Sequence, residues 1–168
     1  MIRPYFPSRP GSDGAAPPLP LRKTVPGRVR FEEADALGVV WHGRYASYAE
    51  DARAALFEAC GVGYLDFHRN GVITPIKNMR IDYLRPLRFG DTFEVEGVLH
   101  WNDAVRLDFE FAVRDAQGEL AASGCTVQLM LDQEGRLLLL PPPFYAEFRE
   151  RWRRGVLSAL QGAGAGKG

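Results

Sequence analysis

Cysteine is almost missing from this chain. Its 168 residues include two, Cys60 and Cys125, far apart and in no metal-ligand spacing. That excludes a disulfide framework and a cysteine-built zinc site, and predicts two buried free thiols. Long apolar runs are missing too. None approaches the ~18 residues that a membrane span needs. The N-terminus is broken by Pro and Gly and has no apolar core of the kind an export signal carries. Both absences predict a cytoplasmic protein. There is no excess charge of one sign, because 21 Lys and Arg balance 21 Asp and Glu. No long-range field therefore draws nucleic acid or an anionic membrane. Also absent are a Gly-x-Ser-x-Gly elbow, a His-Glu-x-x-His pair and a Walker A loop. These absences argue against the α/β-hydrolase route, zinc chemistry and nucleotide-triphosphate chemistry.

What is present is enough apolar residue, 46% of the chain, to fill the core of one domain. Residues 1–22 are rich in Pro, Gly, Ser and Ala and read as a flexible tail, and residues 162–168 as a disordered one. A strand is predicted near Lys23–Glu33, with Val25, Val29 and Phe31 on one face. A helix follows over Arg44–Cys60. Tyr45, Tyr48, Ala49, Ala52, Leu56 and Ala59 form its apolar stripe, and Gly61 is its stop. A short helix over Tyr64–Arg69 precedes four strands. Met79, Ile81 and Tyr83 alternate in the first, and Phe93, Val95, Leu99 and Trp101 share a face of the second. Val105, Leu107, Phe109, Phe111 and Val113 alternate in the third, and Cys125, Val127, Leu129 and Leu131 in the fourth. Asn102-Asp103 and Asp115–Gly118 read as hairpin turns. Pro141–Pro143 then breaks the chain before a helix over residues 143–161 carrying Phe144, Phe148, Trp152 and Val156. The class is α+β: one domain at 23–142, with five antiparallel strands wrapped on one long helix, and a C-terminal helix. One sheet face is covered by the long helix and the other is left for solvent or a partner.

The chemistry concentrates between Phe31 and Tyr45. Asp35 and His42 flank Gly38-Val39-Val40-Trp41, and the long helix begins directly afterwards. A helix N-terminus leaves backbone N–H groups unpaired and partly positive. At His42 and Gly43 such groups can stabilise an oxyanion, and Gly43 lets a substrate approach the backbone. Asp35 offers a carboxylate, although alone it reads sooner as the cap of a turn in a Gly-containing loop, and the surrounding motif reverses that balance toward catalysis. Glu50 and Arg53 read either as an ordinary i,i+3 pair or with Glu50 lining a pocket. Lys77, Arg80, Arg85 and Arg88 form a basic run. It is either a solvated edge or, through Arg85 and Arg88, a phosphate site suited to the guanidinium fork.

These residues carry a resemblance. Phe31, Glu33, Asp35, Gly38-Val39-Val40, Trp41, His42 and Tyr45, then Glu50-Asp51-Ala52-Arg53 and Gly61, resemble the motif of the 4-hydroxybenzoyl-CoA thioesterase-like acyl-CoA thioesterases. Thr74-Pro75-Ile76 and Tyr83–Asp91 are weaker echoes. The resemblance covers roughly residues 24–142 and implies a hotdog fold. It further implies hydrolysis of an acyl-CoA or acyl-carrier-protein thioester with no metal and no cofactor, coenzyme A being part of the substrate. Asp35 would be nucleophile or general base, with His42 and Gly43 at the carbonyl oxygen. Tyr45, Glu50 and Thr74 would line the acyl pocket, and Arg85 and Arg88 would take coenzyme A phosphates. A homodimer or homotetramer is implied. Three positions depart from the family: Glu33 where Asp is usual, Arg44 where Asn is frequent, and Asn102-Asp103-Ala104 where some relatives carry a basic tip. Two other functions stay open on the same fold, a hydratase or dehydratase of acyl thioesters and a non-catalytic acyl-thioester binding module.

Overall fold

The structure, a computed structural model, describes residues 5–6 and 16–161. The predicted tail at 162–168 lies outside the described residues, as does most of the one at 1–22. In chain order the elements are β1 (Leu21–Arg28), α1 (Arg44–Cys60), α2 (Tyr64–Arg69), β2 (Ile76–Tyr83), β3 (Thr92–His100), β4 (Arg106–Asp115), β5 (Leu120–Leu129) and α3 (Pro143–Arg153). The strands form one antiparallel sheet in the order β1-β3-β4-β5-β2. The predicted α+β class is the one observed.

The register explains how the sheet wraps α1. Val95 pairs with Val113, Gly97 with Phe111 and Leu99 with Phe109, so alternate residues of β3 and β4 line one inner face. On α1, Ala49 and Ala52 are fully buried against that face. A Cβ placed on Gly97 would stand 3.3 Å from the Ala52 Cβ and 2.8 Å from the Phe109 ring. Small residues on both sides therefore set how closely the helix approaches. Gly61, at φ 73°, ends α1 in the left-handed region that favours glycine. Both cysteines are free and buried. Burial pushes the Cys60 thiol up to about 12.

Four sequence expectations change. First, β1 starts at Leu21 and ends at Arg28, and Phe31–Glu33 forms a 3-10 turn instead of continuing the strand. Phe31 is consequently exposed, while Val29 is buried. Second, Cys125 and Val127 pair with Arg80 and Asn78 on the outer face of the sheet. The inner residues of β5 are Ala122, Gly124, Thr126 and Gln128, opposite Val113, Phe111, Phe109 and Leu107. The large Phe rings of β4 already fill the space above Gly124, and the buried Thr126 and Gln128 serve polar partners described below. Third, the C-terminal helix stops at Arg153. Gly155 turns the chain at φ 73°, and Leu157 is the residue buried there in place of Val156. Fourth, the outer face is not bare, because Tyr5 and Phe6 rest on it.

Gly124 is the tightest point of the sheet. A Cβ there would lie 2.3 Å from the Arg80 carbonyl oxygen and 2.6 Å from the Phe111 ring. Overpacking of this kind costs about 1–3 kcal/mol. Gly124→Ala is expected to lower the melting temperature by several degrees in a calorimetric scan. An unchanged Tm would show that β2 and β5 can move apart at no cost.

Candidate active site

The loop between β1 and α1 is held from three sides. Asp35 N–H donates to the Val39 carbonyl at 2.8 Å and Gly38 N–H to the Asp35 carbonyl at 2.9 Å, with Gly38 at φ 74°. Val40 N–H reaches Leu87 O at 2.8 Å, and Val39 forms a bridge with Arg88. Trp41 N–H donates to Glu33 O at 2.8 Å. Glu33 is itself buried. Its Oε2 accepts from Arg30 N–H at 2.8 Å and from the Tyr48 hydroxyl at 3.0 Å. Burial, followed by the hydrogen bond to Glu33 and then its charge, raises the Tyr48 pKa well above that of an ordinary phenol, so the hydroxyl stays a donor. Glu33 thus fastens the loop to α1. From sequence it was legible only as a motif position.

Asp35 divides its carboxylate. Oδ1 accepts from Leu37 N–H at 2.8 Å and from Val39 N–H at 3.4 Å. Oδ2 has no hydrogen-bond partner among the described residues. Asp35 therefore does cap the turn, and one oxygen is left over. At the helix entry, Arg44 N–H donates to Trp41 O at 2.9 Å, whereas the N–H groups of His42 and Gly43 have no partner among the described residues. Gly43 is required here by space. A Cβ would come within 2.2 Å of the Trp41 ring. The exposed His42 ring lies 4.9 Å from the Trp41 ring and edge-on to Tyr83 at 6.4 Å, while the Tyr83 hydroxyl donates to His42 O at 3.0 Å.

At this end α1 meets β2 through Tyr45 and Tyr83. Tyr45 is buried, with Tyr83 5.3 Å away. Burial is the main cause of its raised hydroxyl pKa. Ile81 and Met79 follow on the inner face of β2, over Gly124 and Thr126. Glu50 stands about 9 Å along α1 from Arg44, at 1.5 Å per residue. Its carboxylate accepts from Arg53 and from the Tyr64 hydroxyl. Arg53 is 2% exposed, so it is not a surface partner. Its Nε donates to Tyr64 at 2.8 Å and its Nη1 to Thr126 at 3.1 Å. Beyond lies Gln128, whose Nε2 donates to Thr74 O at 2.8 Å and whose Oε1 is buried without a partner among the described residues.

The candidate residues thus fall into two groups. Asp35, His42, Gly43 and Tyr45 gather at one end, and the Arg88 backbone, from the loop between β2 and β3, is bridged to it at Val39. Glu50 and Thr74 lie at the other end. Arg85 stands apart, ion-paired with Glu119 at 3.0 Å. Phe31, Leu37 and Trp41 between β1 and α1, and Leu84 and Phe89 between β2 and β3, are exposed apolar residues, the rim of this end. Among the described residues no cluster of three or more His, Cys, Asp or Glu is placed to hold a metal ion, and no helix is long and apolar enough to cross a membrane.

The profile of the thioesterase-like superfamily matches residues 29–151, from the end of β1 into α3. This chain belongs to the thioesterase-like superfamily. Among relatives, a 1,4-dihydroxy-2-naphthoyl-CoA hydrolase of Synechococcus elongatus is 31% identical over 64% of this chain and 80% of its own. The acyl-CoA thioester hydrolase YbgC of Escherichia coli is 25% identical over 74% of this chain and 94% of its own. A DHNA-CoA thioesterase from Staphylococcus aureus superposes with a TM-score of 0.73 over 82% of this chain and 95% of its own, at 21% identity, a likeness of fold. The hotdog architecture implied by the motif is therefore the one this superfamily member adopts.

Removing Glu33 tests how the loop is held. Glu33→Ala strips the acceptor from a buried hydroxyl and a backbone N–H, a loss worth about 1–3 kcal/mol. Denaturant unfolding is expected to show it, with Glu33→Gln closer to wild type. Equal midpoints for all three proteins would mean that the loop is held without this carboxylate.

Proposed function

We propose that this chain is an acyl-CoA thioesterase that releases a carboxylic acid and free coenzyme A. One observation carries the proposal. An unused carboxylate oxygen, Asp35 Oδ2, shares a loop with two unused N–H donors at a helix N-terminus, those of His42 and Gly43. The names of the superfamily relatives point to the same reaction. The thioester carbonyl oxygen sits against these two N–H groups, which hold the negative charge as it develops. Asp35 then acts in one of two ways. It attacks the carbonyl carbon, expelling coenzyme A as thiolate and forming an anhydride that water cleaves. Otherwise it takes a proton from water as that water attacks. The His42 ring, clamped by Trp41 and Tyr83, flanks the carbonyl as a further donor.

The site is completed by a second copy. Among the described residues strand β2 pairs only with β5, which leaves its other edge open. Antiparallel two-fold pairing of β2 with β2 would set the Ile76 end of one strand beside the Tyr83 end of the other. Thr74 of one protomer would then approach His42 and Tyr83 of its partner, and the apolar rim would be covered. Glu50, fixed by Arg53 and Tyr64, is the polar terminus of the acyl groove. Arg88, on the loop side, is the better phosphate ligand, because Arg85 is already paired with Glu119.

Asp35→Asn and Asp35→Ala are expected to lower kcat by about 10²–10⁴, the range of a lost general base. Release of free thiol from a panel of aliphatic, aromatic and carrier-protein thioesters is the measurement. Wild-type turnover by both variants on every substrate sinks the proposal, and water addition to an enoyl-CoA with no hydrolysis favours the hydratase. Single turnover in ¹⁸O-water separates the two roles, since only the nucleophile acquires label in Asp35. Arg88→Ala is expected to raise KM for acyl-CoA with kcat nearly unchanged, and an unchanged KM removes Arg88 from phosphate binding.

A further inference from the structure

Two Arg-Phe dipeptides, Arg30-Phe31 and Arg88-Phe89, stand far apart in the chain and meet at the rim. Phe31 opens the turn after β1, and Phe89 lies between β2 and β3. Backbone bonds tie the two segments together. Val29 N–H donates to Asp91 O at 2.9 Å, and Gly90 N–H donates to Val29 O at 3.1 Å. The two rings meet edge to face, with centroids 5.8 Å apart and an interplanar angle of 90°. They nevertheless stay in solvent, 80% and 61% exposed. Burial of a phenyl ring is favourable, and the fold realises that gain at neither position.

The surroundings of the pair say what it would take. Its neighbours are cations with little to neutralise them. The Arg88 guanidinium has no ion pair among the described residues, and the Asp91 carboxylate accepts from the Arg88 backbone N–H instead, at 2.8 Å. Arg28 Nε donates to a carbonyl, that of Gly90, at 3.3 Å. Arg30 reaches Glu32 only at 4.0 Å, with both side chains exposed, a contact of little strength. A purely apolar partner would leave these charges unmatched. A nucleotide meets both features, because its base has a flat π face and its phosphates suit the guanidinium fork.

The place fits as well. Arg88 is bridged to Val39, and Trp41 N–H donates to Glu33 O, so both dipeptides belong to the loops beside Asp35 and His42. The pair lies toward β1 and β3, whereas β2 is the opposite edge of the sheet. A copy paired through β2 meets the rim from the other side, and a nucleotide would complete its cover. We propose that Phe31 and Phe89 form the platform for the adenine of coenzyme A, with Arg88 and Arg30 at its phosphates. The inference rests on the acyl-CoA reading above and sharpens it. What this surface recognises is the nucleotide, which a carrier-protein thioester lacks.

The experiment compares an acyl-CoA with the same acyl group on pantetheine, which keeps the thioester and lacks the nucleotide. In Phe31→Ala/Phe89→Ala the preference in kcat/KM for acyl-CoA over acyl-pantetheine is expected to fall on the order of tenfold, the size of one lost base stack. Phe31→Leu/Phe89→Leu keeps apolar bulk without aromatic faces and is expected to fall likewise. An unchanged preference in the Ala pair overturns the platform. A Leu pair equal to wild type beside a weakened Ala pair assigns the rings to plain apolar cover and overturns it too. So does a smaller sedimenting mass for the Ala pair, which places the rings in a subunit contact. Binding is read apart from turnover, by calorimetry with adenosine bisphosphate, the free nucleotide end of coenzyme A. Wild type is expected to bind it on the order of tenfold more tightly than the Ala pair. If that difference is found while no thioester is hydrolysed, the reaction fails and the platform stands. Equal affinities, or no binding by wild type, overturn the platform whatever the turnover.

Discussion

A buried guanidinium organises the half of the molecule beneath α1. Arg53 sits 5.7 Å from the Phe109 ring and joins three elements: α1 itself through Glu50, α2 through Tyr64 and β5 through Thr126. Its charge cannot be left without partners at that depth. Breaking such a set by removing one member costs about 3–5 kcal/mol in typical cases. The requirement propagates outward. Polar Thr126 sits on an inner sheet face that is otherwise apolar except for Gln128. Glu50 cannot swing to solvent while Arg53 and Tyr64 hold both its oxygens. The Glu50 end of the proposed site is thus fixed by the same contacts that dock helix to sheet, so pocket shape and fold stability are coupled there.

The Asp35 end of the proposed site follows a different logic. There the fold uses backbone hydrogen bonds and one buried carboxylate, Glu33, to place a loop whose remaining groups are unused. Val40 is tied to Leu87, Trp41 to Glu33, and Asp35 to its own turn. What is left over, one oxygen of Asp35 and the amides of His42 and Gly43, is a set of unsatisfied polar groups that an acyl carbonyl and its attacking group would satisfy. On the proposed function, the reacting groups of this loop and the Glu50 end of the acyl site are held by separate parts of the chain.

Much of this was legible in the sequence because it depends on local periodicity. The 3.6-residue stripe gave α1 from Arg44 to Cys60, and the alternation in Val105–Val113 gave β4. The failures share a cause. In β5 the apolar set Cys125, Val127 and Leu129 pointed to the wrong face, since which face is inner depends on pairing with the rings of Phe109 and Phe111. Arg53 read as half of an ordinary i,i+3 pair or as the neighbour of a pocket-lining Glu50, because nothing within seven residues of it reveals Thr126 or Tyr64. Phe31 looked like a core strand residue but leaves the strand at the turn that Glu33 makes with Arg30. Glu33 itself stood in the motif with no role attached. Its role appears only when Tyr48, 15 residues later, folds back over it. Except at Phe31, contacts between distant segments, and not local propensity, decided these.

Asp35 carries one further consequence. One of its oxygens belongs to the turn and the other to the proposed chemistry. An amide can accept hydrogen bonds through a single oxygen, so Asn at this position preserves the turn while disabling the reacting atom. Scaffold and reactivity then come apart within one side chain. Such a protein would keep the shape of its site and hold a thioester it could no longer cleave. Its natural substrate would become recoverable as cargo, even though pocket residues alone do not name it.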